Sequence, residues 1–210
     1  MVRAERADHD ALTARLVCPA LELDIDALPE DVVATAKQCV LDWLGVSLAG
    51  WSNPLVKALV EEVEDQGGNP HATLVGSGRK ATLDQAALVN GAASHVLDFD
   101  DVHPASRVHP SAPLLSAILA VAEHGKMTGG DVIAAFVAGV EVQSRLGLYM
   151  GDDHYAAGWH NTATLGTFGS TVAVGRLIGL DLDAACHAVG IAGALASGLR
   201  ASFGTMSKPL

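Results

Sequence analysis

Pro29-Glu-Asp-Val-Val-Ala-Thr-Ala-Lys-Gln-Cys-Val-Leu-Asp-Trp-Leu44 is the stretch that sets the fold class. Within it Val32, Val33, Ala36, Cys39, Val40, Trp43 and Leu44 recur at three- and four-residue intervals. That spacing gathers side chains on one face of an α-helix and would scatter them over both faces of a strand. Pro29 suits the first turn of such a helix, where a missing N–H costs nothing. One buried face is expected.

The pattern continues downstream. Asn53-Pro54 opens a second helix carrying Leu55, Val56, Leu59, Val60 and Val63, and Gln66-Gly-Gly-Asn-Pro70 stops it. Thr82-Leu-Asp-Gln85 reads as a capping box, in which the Thr side chain accepts from the third helical amide while Gln reaches back; this helix is predicted to run to about Leu97. Ser111, Thr128 and Asp181 each precede a long apolar run and read as N-caps. The total comes to six or seven helices. Strand character is confined to His71-Ala-Thr-Leu-Val75, followed by Gly76-Ser-Gly78, and no βαβ alternation follows. The expected class is all-α, as a single all-helical domain over residues 1–210, since no repeat, low-complexity block or charged linker divides the chain. Gly190, Gly193, Ala194, Ser197 and Gly198 predict close helix–helix approach in the last third.

Composition narrows the partners. Half of the 210 residues are hydrophobic and 18% are charged, which is globular and not disordered. The net charge of −11, from 24 acidic against 13 basic side chains, argues against nucleic acid and against anionic membrane surfaces. An anionic substrate would therefore need a few placed cations or helix N-termini. Cys18, Cys39 and Cys186 form no close pair, so neither a disulfide framework nor an iron–sulfur or zinc motif is indicated, and a reducing cytoplasm fits. The first 16 residues have mixed charges and no apolar segment of the secretory kind. Two uncharged stretches, 154–175 and 184–199, read as buried helices and not as membrane spans.

The densest chemistry lies in His95-Val-Leu-Asp-Phe-Asp-Asp-Val-His-Pro-Ala-Ser-Arg-Val-His109-Pro-Ser111. Asp and His together can hold a divalent metal, or can form an acid/base array in which a carboxylate orients an imidazole; the spacing alone does not choose. His160 follows Gly158-Trp159 at the start of a Gly/Thr-rich helix, where outward amides favour a neutral imidazole and a bound anion; the competing reading, of equal weight, is that it caps the helix or packs under Trp159. Lys208 follows the flexible stretch Phe203–Ser207 in a chain with few cations. Gly76-Ser-Gly78-Arg-Lys-Ala81 imitates a dinucleotide fingerprint with Asp98 as the ribose acid, but the parallel strand it needs is missing, and a tight turn is expected. Among the other imidazoles, His9 lies in the terminus, His71 and His124 in loop signals, and His187 on an apolar helix as a core residue. No serine or cysteine nucleophile arrangement occurs.

Five ordered blocks together resemble the MmgE/PrpD family: residues 41–50, Asn90–His95 leading into Asp98–Asp101, His109–Ser111, Gly158–His160 and Leu199–Leu210. That family includes 2-methylcitrate dehydratase, cis-aconitate decarboxylase and iminodisuccinate epimerase. The resemblance implies a cofactor- and metal-independent lyase of the 2-methylcitrate dehydratase type, a small di- or tricarboxylate substrate and a homodimer. It places Asp98, His109, His160 and Lys208 in the substrate pocket. Family members are about twice as long, with an α/β domain that closes the pocket and is absent from these residues. Val102 stands where the decarboxylases carry a Thr, and the loop up to His109 is one residue longer; both point away from decarboxylation.

The shared chemistry is proton transfer at a carbon next to a carboxylate, which needs donors aimed at the developing negative charge and an acid or base poised near neutrality. On this reading His109 moves the proton, His160 is a second acid or base, Asp98 orients and raises the pKa of an imidazole, and Lys208 clamps a substrate carboxylate. Two other classes stay open. One is a non-catalytic helical dimerisation or binding module, and the other is a metal-dependent hydrolase using Asp98, Asp100, Asp101 and His103.

Overall fold

A computed structural model describes residues 11–210; His9 lies outside the described residues. Among these residues are eight α-helices: α1 (Leu12–Leu21), α2 (Glu30–Gly50), α3 (Pro54–Gln66), α4 (Leu83–His95), α5 (Ser111–Gly125), α6 (Gly129–Ala156), α7 (Asn161–Leu177) and α8 (Leu182–Leu195). The class is all-α, as expected. The helix beyond the expected six or seven is α1, ten residues long with Pro19 inside, whose Val17 and Ala20 pack against Ala138, Val142 and Val172.

Local chemistry accounts for most of the helix starts. Asn53 accepts from Leu55 N–H at 3.0 Å with Pro54 at the first position, and Gly67 at φ 65° ends α3. The capping box at Thr82 and Gln85 is present, although α4 stops at His95, short of Leu97. Thr128 pairs with Asp131 in the same way, and Asp181 accepts from Ala184 N–H at 2.8 Å. Pro29 stands just outside α2 and not within it. Ser111 corrects its expected role: it is the first residue of α5 and does not cap it. Its hydroxyl instead donates to Asp101.

The predicted face of α2 is the one that packs. Trp43 and Ala36 are buried, with Val33, Cys39, Val40 and Leu44 beside them, against Leu114, Leu115, Ile118 and Phe136. Helix α5 is the hub, lying against α2, α4, α6 and α7. A second cluster joins Val56, Val60 and Val63 of α3 to Val89 and Ala93 of α4 over the hairpin. That hairpin pairs β1 (Ala72–Thr73) antiparallel with β2 (Lys80–Ala81), so the intervening glycines form the tight turn expected and not a dinucleotide loop.

The close helix approach occurs elsewhere than expected. In α8 only Ala185 and Ala192 are fully buried, Ile191 and Leu195 are 64% and 69% exposed, His187 is exposed, and open space surrounds the Cβ position of Gly190. The small residues of α8, and residues 184–199 generally, are therefore not a buried crossing, and His187 is not a core histidine. Small size permits an approach but does not supply the neighbour. The neighbour exists for α6 and α7, where a Cβ on Gly139 would lie 1.9 Å from Leu114 Cδ2 and 3.0 Å from the Gly169 carbonyl oxygen. Gly139→Ala is thus expected to lose about 1–2 kcal/mol net, overpacking of ~1–3 kcal/mol outweighing the better helix propensity of Ala. Urea unfolding measures this, and an unchanged midpoint would refute the tight crossing. By length and composition α2 and α6 are each apolar enough to cross a membrane, and half of the apolar stretch of α6 is buried inside the fold.

Candidate active site

The site is built where α4 ends and α5 and α7 begin. After His95 the chain leaves the helix, and Asp98 takes a left-handed backbone conformation (φ 52°), uncommon for a residue with a side chain. Asp101 then accepts from the Ser111 N–H at 3.0 Å and from its hydroxyl at 2.6 Å, fastening the loop to α5. The His103 ring meets Ser106 Oγ at 2.6 Å, and its backbone N–H donates to Val108. From α7, Asn161 donates to Ser106 O and Thr162 Oγ1 accepts from His109 N–H. These bonds hold the loop independently of the His109 ring.

Inside this frame the side chain of Asp100 has no exposure to solvent. Its carboxylate lies 2.8 Å from His95 Nδ1 and 3.4 Å from His109 Nδ1. A carboxylate between two ring nitrogens favours a proton on each, which leaves the Nε2 atoms of both rings for other work. His109 Nε2 is 3.8 Å from Asp98, which also pairs with the Lys208 ammonium. His95 stacks on His160 with centroids 5.9 Å apart, meets His109 edge-on at 4.9 Å, and keeps a buried Nε2 with no hydrogen-bond partner among the described residues. His160 meets Phe203 edge-on at 4.9 Å.

His160 and Lys208 come from distant stretches joined by a backbone bridge between Trp159 and Leu199, in which His160 N–H donates to Gly198 O and Arg200 N–H to Gly158 O. Trp159 stacks on His154 with ring centroids 6.0 Å apart.

The environments push the imidazoles apart. Burial opposes charge on His109, but the Asp100 carboxylate beside it outweighs that and raises its pKa, with Asp98 adding a smaller push. His160 has no such carboxylate; burial, and then the positive charges of His95, Lys208 and His109, lower it to about 4. Burial works against ionised Asp100 as well, yet its two imidazole partners hold the carboxyl well below the usual carboxylate range. Asp98 is lowered chiefly by its hydrogen bond to Lys208.

Asp98, His109, His160 and Lys208 all line one cavity of about 390 Å³. The structure therefore brings together the four residues singled out in the sequence. Two carboxylates face the His109 ring, Asp100 at 3.4 Å and Asp98 at 3.8 Å. His95 and Asp100 were not selected as acid/base groups, because only burial of the carboxylate and the end of α4 make them a pair. The metal-hydrolase set is corrected: Asp101 is engaged by Ser111 and His103 by Ser106. The ligand atoms that do converge, within 4.8 Å of one another, belong to His95, Asp98, Asp100 and His109. Lys208 pairs with Asp98 and His95 Nδ1 with Asp100, while His95 Nε2, His109 Nδ1 and Asp100 Oδ1 are buried with no hydrogen-bond partner among the described residues.

Residues 15–210 match the family described as the MmgE/PrpD N-terminal domain. The chain is 34% identical to a cis-aconitate decarboxylase-like protein of Aspergillus oryzae, over 91% of this chain and 41% of that protein. It is 34% identical to a cis-aconitate decarboxylase of Aspergillus terreus, over 97% of this chain and 44% of the relative, and 31% identical to the human cis-aconitate decarboxylase, over 90% and 40%. The chain spans about two fifths of the length of these relatives.

Proposed function

The chain belongs to the MmgE/PrpD family, and from that premise we propose that it carries the proton-transferring part of the pocket of a lyase acting on a small polycarboxylate. The observation that carries this reading is the split within one cavity: His109 is backed by a buried carboxylate and His160 is not. Titratable groups driven in opposite directions are the usual mark of an acid and a base assigned to one reaction. His109 delivers the proton, neutral His160 accepts one, and Lys208, fixed by Asp98, holds a substrate carboxylate. Negative charge developing on the carbon next to that carboxylate then meets cations already in place.

Dehydration of 2-methylcitrate is the reaction we assign first, on the family resemblance and on Val102 and the longer loop before His109. The names of the curated relatives make decarboxylation of cis-aconitate the competing reaction on the same substrate class. A homodimer and a cytoplasmic location belong to this reading; exposed Leu41, Leu48, Ile191 and Leu195 are apolar surface such an interface would cover, and three free cysteines suit a reducing compartment.

The test is a panel of di- and tricarboxylates assayed across pH with the whole gene product. Turnover without added metal is expected, with kcat/KM rising through about pH 4 as His160 loses its proton. It should fall again at a pH above the ordinary imidazole value of ~6.5, as His109 loses its own. The converging His95, Asp98, Asp100 and His109 favour a metal-dependent hydrolase as the second reading. Stoichiometric metal in the purified protein would decide for it, and inactivity on the whole panel would leave a binding module.

A further inference from the structure

Arg107 lines the cavity that Lys208, His109 and His160 share, yet it belongs to none of the roles above. Its backbone is left-handed (φ 54°), a conformation costly for a side-chain-bearing residue, closed by its N–H donating to Pro104 O at 3.3 Å. Its guanidinium lies 5.0 Å from the centre of the Tyr155 ring, and its Nη2 is 2.9 Å from Asp152 Oδ1. Tyr155 is itself fixed by Arg200, whose guanidinium sits 3.9 Å from the ring and donates to the Tyr155 carbonyl at 2.8 Å. Gly151 (φ 59°, ψ −155°) breaks the course of α6 just before Asp152 and Tyr155, so both come from a final segment with its own direction.

We propose that Arg107 is a second carboxylate-binding group of this pocket and selects acids with two or more carboxylates. The inference rests on the polycarboxylate reading above and deepens it. The Asp152 carboxylate is 79% exposed, and an ion pair that open to water contributes little, so a substrate carboxylate displaces it readily. The planar guanidinium offers two parallel N–H donors to a carboxylate, and the Tyr155 ring limits the orientations it must give up on binding. Lys208, engaged by Asp98, provides a cationic point for one carboxylate; Arg107 provides another in the same cavity. In a chain of net charge −11, two such points are the local reversal of field that an anionic substrate needs. A monocarboxylate can use only one of them.

The experiment compares wild type, Arg107→Gln and Arg107→Lys in the whole gene product. It reads kcat and KM on the best polycarboxylate, and the inhibition constants of tricarballylate and butyrate. Arg107→Gln is expected to raise KM and to weaken tricarballylate by about 10-fold or more, with a far smaller change in kcat and an unchanged butyrate constant. Arg107→Lys should restore part of the loss. A tricarballylate constant unchanged in Arg107→Gln, or tricarballylate and butyrate weakened alike, overturns the assignment while leaving the polycarboxylate reading standing. A wild type that neither turns over nor binds any polycarboxylate overturns both.

Discussion

His109→Ala is expected to lower kcat by about 10²- to 10⁴-fold while the substrate still binds, the range lost when a positioned acid or base is removed. The ring sits between the buried Asp100 and the Asp98–Lys208 pair, so truncation removes the proton carrier and leaves the carboxylate-binding cation in place. The loop should survive the change, because the His109 backbone donates to Thr162 and its neighbours are held by Asp101 and Asn161. Steady-state kinetics with calorimetric binding in the whole gene product separates the outcomes. Loss of binding with kcat preserved would make His109 a recognition group.

Asp100→Asn should give the largest loss of stability, roughly 3–5 kcal/mol, the cost of breaking a buried charged pair by removing one partner. The amide retains one acceptor oxygen but turns an N–H donor toward a ring nitrogen that was itself donating. The pH dependence has a definite sign. Asp100, held below the usual range, contributes stability that is present above ~3.9 and is lost as pH falls through its folded value. His109, raised above ~6.5, contributes stability that is complete below that value and is lost as pH rises through its folded value. Urea unfolding of the variant should therefore show a smaller stability at pH 5–6 and a flatter dependence on either side. Without the carboxylate, the alkaline limb of the activity profile should move to lower pH. Wild-type stability together with an unmoved limb would remove Asp100 from the acid/base machinery.

The parts legible in the sequence are those decided within a few residues. Thr82 and Gln85 meet within a single turn, as do Asn53 and Leu55, and such contacts depend little on what the rest of the chain does. Asp98, His109, His160 and Lys208 could be named in advance because their surrounding blocks have a family likeness, although Asp98 and Lys208 are 110 residues apart. What escaped was set by tertiary placement. Ser111 looked like a cap until Asp101, ten residues earlier, took both its hydroxyl and its amide. Asp100 and Asp101 are adjacent and chemically identical, yet one is sealed between imidazoles and the other staples a helix. The small residues of α8 suggested a crossing that the chain makes with Gly139 and Gly169 instead.

The bridge between Trp159 and Leu199 has a mechanical consequence. It ties off the intervening stretch, with α7 and α8, as a closed ring whose two ends meet at the pocket. The spacing between His160 and the segment leading to Lys208 is thus set by two backbone hydrogen bonds at the tie, between residues some forty positions apart in the chain.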